Sequence, residues 1–320
     1  MVFDSGAKLT ADLVEQIANG LIATLEGYWS DADASWTTVD RAGNKARRVL
    51  KFDNGVEPVI YLALEVINTH TDYYYGNQGW WRKGRGIRVV FSSGWDETTH
   101  IYIGSIQSTF VAFEGCANCP TSDLATTKIT YFQWIETNGF VIMGKPEPTG
   151  SNEQQSFIIV VERVPTASKE YADVYTNFYC YAAGNIWQNM YDGNWPVTLL
   201  RNRSILRPFA YQFPDYSGGG SWGQWDANGN GISFPPLPGY VAYKSIGNGK
   251  VYYIKPIINN QANQFAPIFQ SELFFKWSEG VGLIDGDVIA VQGQPVKFLC
   301  KALDSPDNAN RLAYAIKYFG

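Results

Sequence analysis

The feature that most constrains the fold is a series of short β-type segments, separated by turn sequences, that begins near residue 47. Six segments are rich in β-branched and aromatic residues and are bounded by turn clusters: 59–67, 87–92, 100–113, 129–135, 140–144 and 157–164. Turn sequences at 137–139, 247–249 and 292–295 predict hairpins, because Asn and Gly readily adopt the required conformations. Hairpins imply antiparallel pairing, and no strand–helix–strand alternation is present. The pattern therefore argues against a Rossmann or α/β-barrel enzyme.

One segment near the N-terminus has helical periodicity instead. Thr10 is placed to cap its first turn, whereas the pair at 19–20 (Asn-Gly) weakens its middle and predicts a break. Its apolar residues share one helical face: Leu13, Ile17, Leu21 and Leu25. We therefore predict a mainly β, antiparallel and β-sandwich-like fold with an N-terminal α-helix, in the class of β-dominated α+β proteins.

The pattern also suggests a division of the chain. Residues 1–28 form an N-terminal helical arm, and two β-rich parts follow at 29–145 and 156–320, although one continuous domain is the alternative. A Gly-, Pro- and Trp-rich stretch at 208–239 is too long for an ordinary connection. We interpret it as an insertion that docks on a neighbouring molecule, the alternative being a surface loop.

Composition indicates a surface that is covered by other molecules. Charged residues make up 17% of the 320 residues and aromatic residues 15%, and protein interfaces are poor in Lys, Glu and Asp but rich in Tyr, Trp and Phe. A large all-β domain would also be rich in aromatic residues. The net charge of −5 argues against a nucleic-acid partner. No apolar stretch is long enough for membrane insertion, and residues 1–6 lack a secretory signal pattern.

Catalytic motifs are absent from the sequence. The two histidines, His70 and His100, lie in no metalloprotease or nucleophile pattern. We expect His100, which begins a strand pattern, to be a half-buried or edge side chain. Carboxylate pairs of the kind that glycosidases use occur at three places: Asp31 with Asp33, Asp96 with Glu97, and Asp285 with Asp287. Turns supply such pairs by chance. We therefore predict that the chain is not an enzyme and has no cofactor.

Two short motifs suggest a metal or a disulfide. Asp226, Asn228 and Asn230 match the opening of a calcium loop, but position twelve is Leu237 instead of the bidentate Glu, so an Asn/Gly turn is the alternative.

The cysteines give a second weak signal. Cys116 and Cys119 form a C-x-x-C that is compatible with a zinc half-site, a redox pair or a local disulfide, and we favour a loop tip whose two thiols become oxidised. Cys180 and Cys300 stand alone in apolar runs and are predicted to be buried.

Several passages together resemble virion proteins of tailed bacteriophages. They are residues 17–22 with 27–31, 45–50, 157–163, 249–256, and 297–300 with 304–308. The resemblance is diffuse over most of the chain and implies a non-enzymatic structural subunit in the tail, baseplate or fibre. A capsid or head decoration protein is an alternative. The partners implied are copies of the chain and other virion proteins, and the location implied is the virion, assembled in the host cytoplasm.

Four tryptophans are the predicted interface anchors. We expect Trp80, Trp81, Trp222 and Trp225 to dominate the contact energy, because a few large aromatic residues usually do so at interfaces. The spacing of Trp222 and Trp225, with Gly and Gln between them, would also suit stacking on a sugar. A carbohydrate-binding module for host attachment is therefore the alternative function.

Overall fold

The fold is visible in a computed structural model that describes residues 2–33, 44–70, 74–75, 80–81, 83–116, 128–147, 153–154, 156–163, 178–184, 197–199, 230–233, 243–244, 247–248, 250–252, 257–260, 266–277, 282–303 and 312–319. Within these residues the chain is mainly β, with antiparallel sheets and an α-helix near the N-terminus, which confirms the predicted fold class. The described part of the chain contains no helix with the length and hydrophobicity needed to cross a bilayer.

The strands range in length from two residues to 16 residues. Up to residue 163 the elements are β1 (Val2–Leu9), α1 (Thr10–Ile22), β2 (Trp29–Asp31), β3 (Asn44–Phe52), β4 (Ile60–His70), β5 (Tyr74–Tyr75), β6 (Trp80–Trp81), β7 (Lys83–Asp96), β8 (Ile101–Cys116), β9 (Lys128–Glu136), β10 (Gly139–Pro146), β11 (Glu153–Gln154) and β12 (Phe157–Arg163). After it they are β13 (Phe178–Gly184), β14 (Val197–Leu199), β15 (Asn230–Ser233), β16 (Tyr243–Lys244), β17 (Val251–Tyr252), β18 (Ile257–Asn260), β19 (Ala266–Gln270), β20 (Phe274–Lys276), β21 (Val288–Ala290), β22 (Lys297–Leu303) and β23 (Leu312–Tyr318).

Three sheets form the body of the protein. Sheet I has the strand order β1-β9-β10-β12-β13-β14, sheet II the order β11-β8-β7-β4-β3-β2, and sheet III the order β20-β23-β22-β21. Sheets I and II face each other across one core, which also takes in the buried face of α1. Smaller sheets pair β15 with β18 and β18 with β19, β16 with β17, and β5 with β6.

Helix α1 is part of this core. Thr10 is its first helical residue, and Leu9 precedes it without a side-chain capping bond, so the prediction that Thr10 is the N-cap is wrong. The predicted break is also wrong, because the helix continues through Gly20 to Ile22. A Cβ at Gly20 would lie 2.6 Å from Ile135 Cδ1, so the glycine lets the helix approach sheet I closely. Leu25 lies beyond the helix and is 95% exposed, off the predicted apolar face.

Sheet III covers the second face of sheet I. The rings of Trp134 and Phe319 lie 4.6 Å apart between centroids, and Lys317 Nζ donates to Glu136 Oε2 at 2.9 Å. Sheet I is therefore buried on both faces. This explains why β10 and β12 are continuous apolar segments without the alternation of a half-exposed strand.

The strand and hairpin predictions are confirmed where the structure describes them. The six β-type segments correspond to β4, β7, β8, β9, β10 and β12. The turn at 137–139 joins β9 to β10, the turn at 247–249 lies between β16 and β17, and 292–295 joins β21 to β22. Gly139 has a φ of +140°, and a Cβ there would lie 1.9 Å from the Val161 carbonyl oxygen, so this turn requires glycine.

Strands on the two sides of the predicted domain boundaries are hydrogen-bonded to each other. β10 and β12 are antiparallel neighbours from Gly139 opposite Glu162 to Gly144 opposite Phe157, so the boundary between the predicted parts 29–145 and 156–320 falls between two strands of one sheet. The segment 1–28 does not stand apart either, since β1 pairs along its whole length with β9 and α1 buries its apolar face in the core. The apolar stripe of the helix is thus used inside the molecule.

Candidate functional site

The β7–β8 hairpin folds back over its own sheet. Arg88 pairs with Glu65 and Glu65 with Arg47 across sheet II, and Trp95 lies seven residues further along β7, about 23 Å away in a straight strand. The Trp95 ring centroid nevertheless lies 4.8 Å from the Arg47 guanidinium carbon. A register shift between Ser92 and Gly94 supplies the bend. We call residues 94–103 the folded tip.

The folded tip covers the face of sheet II that points away from the main core. Trp95 packs in one cluster with Val49, Ala63 and Val90, and the partly buried Tyr102 packs against the same cluster. The Trp95 and Tyr102 rings contact each other edge to face with centroids 5.1 Å apart. The bend therefore converts an outer sheet face into a small second core.

A buried carboxylate connects the folded tip to the sheet. Glu65 is fully buried, and the Arg47 side chain is 2% exposed. Arg47 Nη1 donates to Glu65 Oε1 at 3.2 Å. Arg88 and the Tyr102 hydroxyl also donate to the Glu65 carboxylate. Burial makes the larger contribution, and the nearby negative charge of Glu65 the next, to a pKa of Tyr102 far above its ordinary value. The phenol therefore stays protonated and acts as a donor.

A second buried carboxylate holds the turn at the end of the hairpin. Trp95 Nε1 donates to Asp33 Oδ2 at 3.1 Å, and His100 Nδ1 lies 2.6 Å from the same oxygen. The His100 carbonyl accepts from Arg47 Nη2 at 3.3 Å. His100 has a φ of +57°, which is uncommon for a residue other than glycine and marks a conformation that its contacts maintain.

These contacts give the cluster a mechanical role. The described polar atoms of Arg47, Glu65, Asp33, Trp95 and Tyr102 are engaged in holding two strands and a turn together. The described residues contain no group of three or more His, Cys, Asp and Glu side chains that could hold a metal ion. The arrangement can fix the position of the tip with high rigidity, since each buried charge has an opposite charge or a donor beside it.

The glycosidase-type pair of Asp31 and Asp33 is separated by the sheet. Asp31 bonds to Arg48 on the core side, where Arg48 also bonds to Glu15 of α1. Asp33 bonds to Trp95 and lies on the side of the folded tip. The two carboxylates therefore act on opposite faces of sheet II and do not flank a common cleft.

The other carboxylate pairs serve turns. A hydrogen bond from the Thr99 side chain, with the amides of Thr98 and Thr99, lowers the pKa of Asp96 in the turn that ends the hairpin. Asp285 accepts from Lys301 Nζ at 2.7 Å, and Asp287 accepts from the Ile284 amide at 3.0 Å. Asp96 and Asp287 make the side-chain to backbone bonds expected of turn residues, whereas Asp285 pairs with a lysine.

The folded tip presents apolar side chains outward. Ile101 and Ile103 are 47% and 48% exposed, on the side of the hairpin opposite the buried Trp95 and Tyr102. At one end of the sandwich Leu25 and Val56 are 95% and 83% exposed on loops. By contrast, the tryptophans whose side chains are described are buried, namely Trp29, Trp95, Trp134 and Trp277. Among the exposed large apolar residues of the described part, all except Phe319 are aliphatic.

Most of the predicted site residues lie outside the described residues. These are Trp222, Trp225, Asp226, Asn228 and Cys119. Trp80 and Trp81 form strand β6, Asn230 begins β15 and Cys116 ends β8, but their side chains are not among those described. The interface, calcium and disulfide predictions stay predictions. Cys180 and Cys300 are free and buried, as predicted, and His100 is half-buried.

The sequence analysis did not predict the buried group formed by Arg47, Glu65 and Arg88, although a signal for it exists. Arg47, Glu65 and Arg88 occupy positions that face the same side in three adjacent strands, with opposite charges in register. Comparison with protein-family models, with curated proteins and with solved structures finds no match to this chain. Its function must therefore be inferred from its own geometry.

Proposed function

We propose that this chain is a non-enzymatic structural subunit of a tailed-phage particle, in the tail, baseplate or fibre, and that it assembles through protein–protein contacts. The folded tip is the observation that carries this proposal. It is fixed by two buried carboxylates, Glu65 and Asp33, and it presents Ile101 and Ile103 to the outside. A rigid protrusion with exposed apolar side chains suits docking, because little conformational freedom is lost on binding.

The distribution of charge supports the same proposal. The chain has 25 Lys and Arg and 30 Asp and Glu, and several of these charged side chains are buried. Buried charged residues in the described part are Asp33, Arg47, Arg48, Glu65, Glu136 and Glu162. The large apolar residues that are exposed there are Leu25, Val56, Ile101, Ile103, Ile284, Val288 and Phe319. A surface with few charges and several exposed aliphatic residues favours association with other proteins.

The partners proposed are further copies of the chain and other virion proteins, and the proposed location is the virion. Mass spectrometry of density-purified particles from the infected cells that produce this chain tests both. We expect the chain at a fixed stoichiometry to the major particle proteins. Abundance in the lysate together with absence from the particles would overturn the proposal.

A variant pair tests the role of the folded tip. Ile101→Asp with Ile103→Asp places two charges on the proposed contact surface and leaves Trp95 and Tyr102 beneath it unchanged. We expect at least about a tenfold loss of incorporation into particles, since charged groups at the centre of an interface are strongly unfavourable. The control is Ile101→Val with Ile103→Val, which keeps the surface apolar and should assemble normally. Equal incorporation of both variants would contradict the assigned role.

A further inference from the structure

Strand β1 lies at the edge of sheet I in the part of the chain that the structure describes. All eight of its residues pair with β9 without a bulge, from Val2 opposite Ile135 to Leu9 opposite Lys128. It is the terminal strand of sheet I in the described part of the chain, and its central residues Ser5, Gly6 and Ala7 are exposed. Natural proteins usually protect such an edge with a bulge, a proline or several charges, because a regular edge is a template for another strand.

The two charges of this strand have no described counter-ion. The Asp4 carboxylate accepts from Tyr131 Oη at 2.7 Å, from Gln16 Nε2 at 2.6 Å and from the Ser5 amide at 2.8 Å, and none of these donors is a cation. Lys8 is partly exposed and makes no ion pair with a described residue. Asp4 and Lys8 are four residues apart, so both side chains lie on the same face of the strand.

We propose that β1 pairs antiparallel with β1 of a second copy of this chain, about a two-fold axis at Gly6. In this register Asp4 lies opposite Lys8 of the second copy, and the symmetry forms this ion pair twice. Ser5 then lies opposite Ala7. The pairing joins the two copies of sheet I into one continuous sheet. The proposal rests on the assembly function proposed above and names the partner as the same chain.

The charges select this register. Moving the axis by one residue to position 5 places Asp4 opposite Gly6, and moving it to position 7 places Lys8 opposite Gly6, so neither alternative forms an ion pair. If the axis passed between two residues, odd-numbered residues would lie opposite even-numbered ones. The core-facing side of one sheet I would then join the outward side of the other. Only the axis at Gly6 neutralises both charges.

Cysteine pairs test the register directly. In the proposed dimer, position 5 of one copy lies directly opposite position 7 of the other, at a Cα separation that a disulfide can span. A mixture of Ser5→Cys and Ala7→Cys chains should form cross-linked heterodimers under mild oxidation. Each variant alone should not, since identical positions are offset by two residues and lie about 7–8 Å apart. Both sites are exposed, so folding is unaffected.

The concentration dependence of dimer formation, measured by light scattering after size exclusion, tests the charge pairing. Lys8→Glu places like charges opposite each other twice and should weaken the dimer about tenfold or more. The matched control is Lys128→Glu, an exposed lysine on the neighbouring strand away from the edge, which should leave the dimer unchanged. A chain that stays monomeric at all concentrations, or equal effects of the two variants, would overturn the proposal.

The two proposals fail in different experiments. The dimer is measured on the purified chain, and the particle function is measured by the protein content of virions. A dimer formed by a chain that is absent from particles would sustain the edge pairing and overturn the particle function. A monomeric chain found in particles would sustain the particle function and overturn the edge pairing.

Discussion

Removing the charge of Glu65 should destabilise the protein strongly, although the side chain keeps its shape in Glu65→Gln. Arg47 is 2% exposed and would lose its ion pair with Glu65, and removing one partner of a buried ion pair costs about 3–5 kcal/mol. Arg88 is 33% exposed and can turn to water, so its contribution is below about 1 kcal/mol. The Tyr102 hydroxyl keeps an acceptor in the amide oxygen. We therefore expect a loss of about 3 kcal/mol in the free energy of unfolding.

Urea unfolding followed by tryptophan fluorescence measures this loss. With slopes of about 1–3 kcal/mol per molar urea, the midpoint should fall by about 1 M or more. The matched control is Glu97→Gln, because Glu97 is exposed at the same hairpin end and makes no ion pair with a described residue. We expect the control to change the free energy of unfolding by less than about 0.5 kcal/mol.

Hydrogen exchange identifies where the stability is lost. In Glu65→Gln the amides of residues 94–103 should exchange faster than those of β10 and β12, because the folded tip loses its attachment to sheet II while sheet I stays covered on both faces. A loss below about 1 kcal/mol in Glu65→Gln, or an equal loss in Glu97→Gln, would contradict the stabilising role of the Glu65 charge. Unchanged exchange in the folded tip would refute the assigned attachment.

Three further predictions concern a turn and two titrating groups. Gly139→Ala should cost several kcal/mol in urea unfolding, since its Cβ would overlap the Val161 carbonyl, whereas Gly55→Ala has open space and should cost about 1 kcal/mol. Burial, and to a smaller extent the hydrogen bond to Asp4, raises the pKa of Tyr131 to about 12. The stability that the protonated phenol contributes is present below pH 10 and is lost as the pH rises from 10 to 12. Tyr131→Phe should reduce this loss. Burial raises the pKa of Cys300 to about 12, so a thiol reagent at pH 8 should label it only after unfolding; rapid labelling of the native protein would contradict this.

The fold class could be predicted because its signals are local. The turn at 137–139 fixes a hairpin through the backbone conformation that glycine allows, and β-branched runs favour strands wherever they lie in the chain. The helix was found from its spacing, but its ends were not. Gly20 signals weakness in isolation, whereas its real role is a close approach to Ile135, a residue far away in sequence.

The candidate site could not be predicted because it depends on a bend. Trp95 and Arg47 are distant in the chain and in the strand ladder, and the fold-back at Ser92 and Gly94 brings them together. The sequence does not specify this geometry locally, since Ser and Gly are common in ordinary strands and turns. The same holds for Asp31 and Asp33. Residues two apart in a strand would share a face, but β2 ends at Asp31, and Asp33 bonds to Trp95 on the side of the folded tip.

Because both faces of sheet I are covered, truncation of the chain at its C-terminal end would expose one of them. Cutting before residue 271 would remove Phe319 and Lys317 and leave Trp134 and the outward side of β10 and β12 in contact with water. Such a fragment would retain all strands of sheet I and still be insoluble, because the lost C-terminal sheet covers the second face of sheet I. Expression trials should therefore carry the C-terminus intact, and shortened versions are better sought within surface loops.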